Sequence, residues 1–194
     1  MYRQVKQVFM KKASMFLLAI VTVMFGIFLL PSPIHAQGTS TALVCSGLHL
    51  ATWTPGVTSD PNTIQVGAQS TWTCSNVSGG PVVLNGASSD SFLATFSCGS
   101  IFSPVTATWV INWTDANAKP VGQSQYQFTA RVTAVQNDLV IAAPGSITSG
   151  MYSGASATGS FTLNNLAALV QNGCNVPGGV TNASGPSTLT LTGP

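Results

Sequence analysis

The feature that most constrains this chain is a two-residue alternation of apolar and polar side chains. Between residues 105 and 113 one face carries Val105, Ala107, Trp109, Ile111 and Trp113. Between residues 126 and 134 one face carries Tyr126, Phe128, Ala130, Val132 and Ala134. This period is that of a β-strand with one buried face and one face in water. The sequence therefore predicts an all-β, antiparallel protein.

Turn-forming residues separate the alternating segments. The pairs are Pro55-Gly56, Asn85-Gly86, Pro144-Gly145 and Gly178-Gly179, and such pairs punctuate strands. Residues 115–122 contain Lys119-Pro120 and are expected to form a hairpin loop between two of the clearest strands. Short strands with regularly spaced turns favour a sandwich. We therefore expect an immunoglobulin-like antiparallel β-sandwich of about seven to nine strands, with residues 37–194 as a single domain.

The N-terminus has the three parts of a secretory signal. Its basic residues are Arg3, Lys6, Lys11 and Lys12. An uncharged apolar segment, residues 13–30, follows, and the helix-breaking Pro31 and Pro33 come before the small residue Ala36. We predict a signal peptide helix in residues 1–36, cleaved after Ala36, and a secreted domain. The alternative is an uncleaved anchor through residues 13–30 with the domain outside the membrane, because this segment is just long enough to span hydrocarbon.

Four cysteines remain after the predicted cleavage: Cys45, Cys74, Cys98 and Cys174. An even number of cysteines in an exported chain predicts two disulfides, and no pair has the spacing of a metal site. Three pairings are open. Because short loops close more easily, we favour Cys45–Cys74 with Cys98–Cys174.

Charged side chains are scarce in residues 37–194. They are Lys119, Arg131, Asp60, Asp90, Asp115 and Asp138, which leave a net charge of −2. Binding to nucleic acid requires clustered lysine and arginine, and so does electrostatic attachment to anionic lipid. Two cations do not supply such a cluster, so we expect no nucleic-acid partner, and contact with a membrane only through residues 13–30 if the signal is uncleaved.

A set of short motifs covers nearly the whole predicted mature chain. They are Cys45-x-Gly47, Thr54-Pro55-Gly56-Val57, Gly145-Ser-Ile-Thr-Ser-Gly150-x-Tyr152-x-Gly154 and Cys174-x-x-Pro177-x-Gly179-Val180-Thr181, together with Cys74, Cys98 and Trp113. In these motifs the chain resembles a group of small secreted β-sandwich proteins with four cysteines from actinomycete-type bacteria. The resemblance implies export, cysteine pairing and a β-sandwich. It implies no activity and no functional residue.

No catalytic motif accompanies these features. A Ser-His-Asp arrangement would have to use His49, the single histidine of residues 37–194, which we interpret as a structural or surface residue. The four aspartates each lie in or beside a turn signal, where an aspartate caps its own backbone. We therefore expect no enzyme activity, no cofactor and no metal site.

Aromatic side chains are the remaining candidates for a site. We interpret Trp72 and Trp109 as core residues and take Trp53 and Tyr152, which lie near turns, as speculative exposed ligand-binding residues. The expected role is surface contact with an unknown protein or glycan at or near the cell envelope. The alternatives are a module that binds neutral carbohydrate or cell-wall glycan, and a carrier of a small apolar molecule or a protease inhibitor. Strand edges with few charges also predict self-association.

Overall fold

A computed structural model describes residues 43–77, 84–166, 174 and 177–193, all of which belong to one unit spanning Gly38–Pro194. The strands are β1 Leu43–Val57, β2 Asn62–Asn76, β3 Leu84–Phe96, β4 Val105–Thr114, β5 Pro120–Val135, β6 Asp138–Gly150, β7 Ser156–Leu163 and β8 Val180–Thr192. The predicted signal peptide, residues 1–36, lies outside the described residues. Within the described ranges, no helix is long and apolar enough to cross a membrane.

The eight strands form one closed barrel in sequence order. Each strand pairs antiparallel with the next, and β8 pairs with β1 from Leu43↔Leu191 to Thr52↔Asn182. The all-β antiparallel prediction and the expected strand number are confirmed, but the immunoglobulin-like sandwich is wrong. The alternation of apolar and polar residues indicates only that one face of each strand is buried. This is equally true of two sheets packed face to face and of one sheet closed on itself, so the pattern does not separate a sandwich from a barrel.

The inward-facing side chains form two clusters, one towards each end of the barrel. The first contains the Cys45–Cys74 pair with Trp72, Trp109, Trp113, Tyr126, Phe128 and Phe161. The second contains Cys98 and Cys174 with Trp53, Ile64, Val66, Leu139, Leu163 and Leu166. The core prediction for Trp72 and Trp109 is confirmed, since these side chains are 2% and 7% exposed.

Both disulfides have the pairing favoured from the sequence, Cys45–Cys74 and Cys98–Cys174. Cys45 and Cys74 lie directly opposite each other on β1 and β2. The second bridge joins the loop after β3 to the connection between β7 and β8. One covalent link therefore lies within each core cluster.

Three of the predicted turns lie within strands instead, and one of them is Pro55-Gly56 in β1. Gly86 lies in β3 and Gly145 in β6. A Cβ atom at Gly86 would lie 2.8 Å from the Trp113 ring, and one at Gly145 would lie 1.9 Å from the Gln127 carbonyl oxygen. Both glycines are needed because neighbouring atoms lie too close to leave room for a side chain, and neither reverses the chain. The local sequence does not distinguish such a glycine within a strand from a glycine in a turn. The predicted hairpin is confirmed, since β4 pairs with β5, but its loop is residues 115–119 and not 115–122, because β5 begins at Pro120.

Candidate functional site

An apolar cavity of about 140 Å³ lies inside the barrel between the two clusters. Its walls come from β1 through β7 and from the loop after β3. The lining residues are His49, Ala51, Trp53, Val66, Ala68, Phe92, Phe96, Ile101, Ser103, Val105, Ala107, Trp109, Phe128, Ala130, Val132, Leu139, Ile141, Phe161 and Leu163. Small eight-stranded barrels either fill with side chains or hold one small ligand. This barrel has space for a ligand.

The space exists because alanine occupies several inward positions around the cavity. Ala51 on β1 lies directly opposite Ala68 on β2, and Ala107 on β4 and Ala130 on β5 also line the cavity. Larger side chains at these positions would fill the interior, because buried side chains normally pack to the density of organic crystals. Short side chains on these four strands leave the cavity open where the two clusters meet.

Among the described residues that line the cavity, His49 is the one titratable side chain. It is 4% exposed, and its Nδ1 shares a hydrogen bond of 2.8 Å with the hydroxyl of Ser70 on β2. Burial lowers the pKa of His49 to about 4, an effect that a hydrogen bond with the Gln69 backbone partly opposes. The imidazole is therefore neutral near pH 7, and none of the described lining residues presents a charge to the cavity.

Aromatic rings contact one another along the wall. Trp109 stacks on His49 with ring centroids 5.8 Å apart and meets the ring of Phe128 edge-on at 4.9 Å. Phe161 lies 4.7 Å from the His49 ring and 5.3 Å from that of Trp109. These contacts hold the rings in fixed positions, and a wall of fixed rings favours ligands that are themselves apolar or aromatic.

The cavity wall is incomplete between β3 and β4. Only Asn85–Ala87 of β3 pairs with β4, at Asn112–Thr114, so the stretches Ser88–Phe96 and Val105–Ile111 are not paired with each other. We call this opening the β3–β4 gap. Inward-facing side chains beside it are partly exposed: Val105 is 37% exposed, whereas Ile64 on β2 is fully buried. The gap therefore connects the cavity with solvent.

The two predicted ligand-binding aromatics lie in different places. Trp53 is 7% exposed and faces the interior, so the expectation of an exposed ring is wrong for this residue, although its side chain does line the cavity. The prediction failed because the alternation of buried and exposed residues in β1 is regular from His49 to Trp53, which places Trp53 on the inner face. The strand itself continues past Trp53 to Val57, so this residue does not lie beside a turn.

Tyr152 lies outside the cavity, in the turn between β6 and β7. Its backbone has a φ of 61°, and its half-buried ring meets the Trp113 ring edge-on with centroids 5.8 Å apart. The turn is held by Ser124, whose Oγ accepts a 2.8 Å hydrogen bond from Trp113 Nε1 and donates one to the Met151 carbonyl. Burial raises the pKa of Tyr152. The structure thus places the two candidate residues in separate surroundings, and a ligand-binding role for either stays a prediction.

Within the described residues, no group of three or more histidine, cysteine or acidic side chains is arranged to hold a metal ion. The carboxylate of Asp115 accepts hydrogen bonds from the backbone N–H groups of Asn117 and Lys119, and that of Asp138 accepts one from Asn165. The Asp115 contacts fit the turn-capping role predicted for the aspartates. The Asp138 contact instead joins the start of β6 to the residues that follow β7.

Sequence reasoning missed the cavity itself. It assigned Trp109 and Phe128 to a strand face without separating a packed core from a lined cavity. A usable signal was the alanine at inward positions of neighbouring predicted strands, such as Ala107 and Ala130. That signal has meaning only once the strands are known to face one another across a barrel.

Comparison with known proteins gives no match: no family model, no curated protein and no solved structure is significantly similar to this chain.

Proposed function

We propose that this protein is a secreted, non-enzymatic binding protein that takes one small, uncharged, apolar group into the cavity of its barrel. The observation that carries the proposal is the uncharged, ring-lined cavity that opens at the β3–β4 gap. Pockets with mostly apolar walls and few polar groups are typical of small-molecule sites. Among the roles expected from the sequence, the carrier of a small apolar molecule is the one that this geometry favours.

The polarity of the wall supports an uncharged ligand. Moving an ion into an apolar site without a partner is strongly unfavourable. His49 is neutral near pH 7, and its Nδ1 already shares a hydrogen bond with Ser70. The other polar groups on the described part of the wall are the hydroxyl of Ser103 and the indole N–H groups of Trp53 and Trp109, and the Nε1 atom of Trp109 is buried without a hydrogen-bond partner among the described residues. A neutral ligand with little polarity therefore fits this wall better than a carboxylate or an amine.

The volume supports a group of about one ring. An apolar protein cavity of about 150 Å³ holds benzene, and the cavity described here measures about 140 Å³. Toluene is accordingly a suitable probe. At concentrations far above its dissociation constant, a ligand that binds only the folded state raises the melting temperature, here by about 5 °C or more.

The test uses toluene with wild-type protein and two matched variants. Ala107→Leu places three more carbon atoms on the cavity wall, whereas Ala142→Leu adds the same atoms on the exposed outer face of β6. Toluene should raise the melting temperature of the wild type and of Ala142→Leu but not that of Ala107→Leu. Benzoate, which has a similar ring and a negative charge, should have no effect on any of them.

Two results would contradict the proposal. One is a melting temperature that toluene does not change in the wild type. The other is an equal rise in Ala107→Leu and Ala142→Leu, which would place the bound toluene outside the cavity. Isothermal titration calorimetry at the same concentrations gives the stoichiometry, expected to be one toluene per chain.

Export and location at the cell envelope remain part of the proposal. Two disulfides within the barrel support an oxidising compartment, where such bonds persist. Self-association also stays a prediction, but barrel closure pairs most of the strand edges on which it was based. The β3–β4 gap leaves one stretch of each of two strands without a partner within the described part of the chain. Light scattering at high protein concentration tests whether these edges associate.

A further inference from the structure

Among the residues that the structure describes, the two sides of the β3–β4 gap are strand edges without a partner. Ser88–Phe96 pairs with β2 on one side only, and Val105–Ile111 pairs with β5 on one side only. In an antiparallel sheet, the N–H and C=O groups of successive residues point alternately to the two sides of the strand. About half of the backbone groups in both stretches therefore point into the gap.

We propose that the gap receives an extended polypeptide segment, which pairs with β3, β4 or both and inserts an apolar side chain into the cavity. This inference rests on the proposed function, because it uses the same cavity, and it names the partner. A small apolar molecule would fill the cavity but could not pair with the strand edges. An extended backbone supplies donors and acceptors at the spacing of a β-ladder, which is the basis of recognition by strand addition.

The side chains beside the gap agree with this occupant. Phe92, Phe96 and Ala107 face inward, line the cavity and are only partly buried. On the outer side Leu93 is 68% exposed and Val110 is 43% exposed. An inserted strand would cover the inner set with alternate side chains and would lie beside the outer pair.

The length and chemistry of the segment follow from the gap. The unpaired stretch of β4, Val105–Ile111, has seven residues, so the segment needs about seven residues, or roughly 23 Å of extended chain. Every second side chain should be uncharged and apolar because it faces the uncharged wall. The intervening side chains face solvent and can be polar. The partner is therefore a polypeptide segment with its own two-residue alternation.

The test uses a heptapeptide with blocked ends and the sequence Thr-Phe-Thr-Val-Thr-Phe-Thr, labelled for fluorescence anisotropy, with the oxidised wild-type protein. One control peptide has the same composition without alternation. A second carries N-methyl groups on all seven residues, which removes the N–H donors from both edges while keeping the side chains. We expect the alternating peptide to bind and to be displaced by toluene. Both controls should bind about tenfold more weakly or worse.

Protein variants separate this inference from the proposed function. Ala107→Leu should weaken the peptide and toluene together, and Ala142→Leu should weaken neither. If toluene binds but the alternating peptide does not, the strand partner is overturned and the small-molecule site stands. If neither binds, both proposals fail. Equal binding of the N-methylated peptide would also overturn strand addition, because the side chains alone would then account for the affinity. Association of the protein with itself through the gap, in place of peptide binding, would overturn the heterologous partner as well.

Discussion

The Nδ1 atom of His49 lies 2.8 Å from the hydroxyl oxygen of Ser70, and the two residues are directly opposite each other on β1 and β2. This hydrogen bond is buried beside the cavity, where the rings of Trp109 and Phe161 contact the imidazole. The position disfavours the imidazolium form, since a charge there would be desolvated. His49 therefore links the pH of the medium to the stability of the cavity wall.

The first prediction concerns the effect of low pH on the stability of the folded protein. Burial lowers the pKa of His49 from 6.5 to about 4, so between these values the unfolded chain binds more protons than the folded one. The stabilising contribution of neutral His49 is therefore present above about pH 6.5 and is lost as the pH falls to about 4. The loss should be about 3 kcal/mol in the free energy of unfolding. Guanidinium unfolding of the wild type and of His49→Gln at pH 7.5 and pH 4 measures the free energy of unfolding of each protein at each pH. If both proteins lose the same free energy at pH 4, His49 does not cause the loss.

The second prediction concerns a tyrosine hydroxyl that joins three strands. Tyr126 Oη donates a hydrogen bond to the Ala143 carbonyl and accepts one of 2.9 Å from the Gly159 N–H. Tyr126→Phe leaves both backbone groups buried without this partner and should cost about 1–3 kcal/mol of stability. Tyr152→Phe is the matched control, with an expected effect within about 0.5 kcal/mol. The half-exposed Tyr152 contacts Trp113 through its ring, and this contact is kept when the hydroxyl is removed. Urea unfolding of both variants measures the difference, and similar losses would refute the role assigned to Tyr126.

The third prediction concerns a glycine that makes room for a ring. A methyl group at Gly86 would lie 2.8 Å from Cζ3 of Trp113, whose side chain is fully buried. Gly86→Ala should therefore cost about 1–3 kcal/mol through overpacking. At Gly99 the nearest atom to an added Cβ is 3.9 Å away, so Gly99→Ala should stay within about 0.5 kcal/mol of the wild type. Thermal unfolding compares the two, and a cost at Gly99 as large as that at Gly86 would point to backbone freedom as the cause.

The fourth prediction concerns export. Cleavage after Ala36 gives a secreted chain that begins at Gln37. N-terminal sequencing of protein recovered from the culture medium should read Gln-Gly-Thr-Ser-Thr. Recovery of the intact chain from the membrane fraction would instead favour the anchor through residues 13–30.

Strand β4 shows which features a local sequence pattern predicts and which it does not. The alternation from Val105 to Trp113 predicted a strand and its buried face, and the structure has that strand with Trp109, Ile111 and Trp113 buried. The same pattern could not show that β4 leaves β3 after three residue pairs. Pairing depends on the positions of both strands, so the sequence of one strand alone does not specify its register with a neighbour.

The strand character, the buried faces and the low charge of the domain could be predicted from the amino-acid sequence, whereas the pairing of its cysteines was only favoured among three possibilities. Period-two alternation and loop closure are local properties of a chain, so they are readable without coordinates. The tertiary structure decided that the sheet closes on itself, that Trp53 faces inward, and that alanines on four strands leave a cavity beside His49. These features arise between residues far apart in sequence. They follow from which strands meet across the barrel, and no local pattern specifies that arrangement.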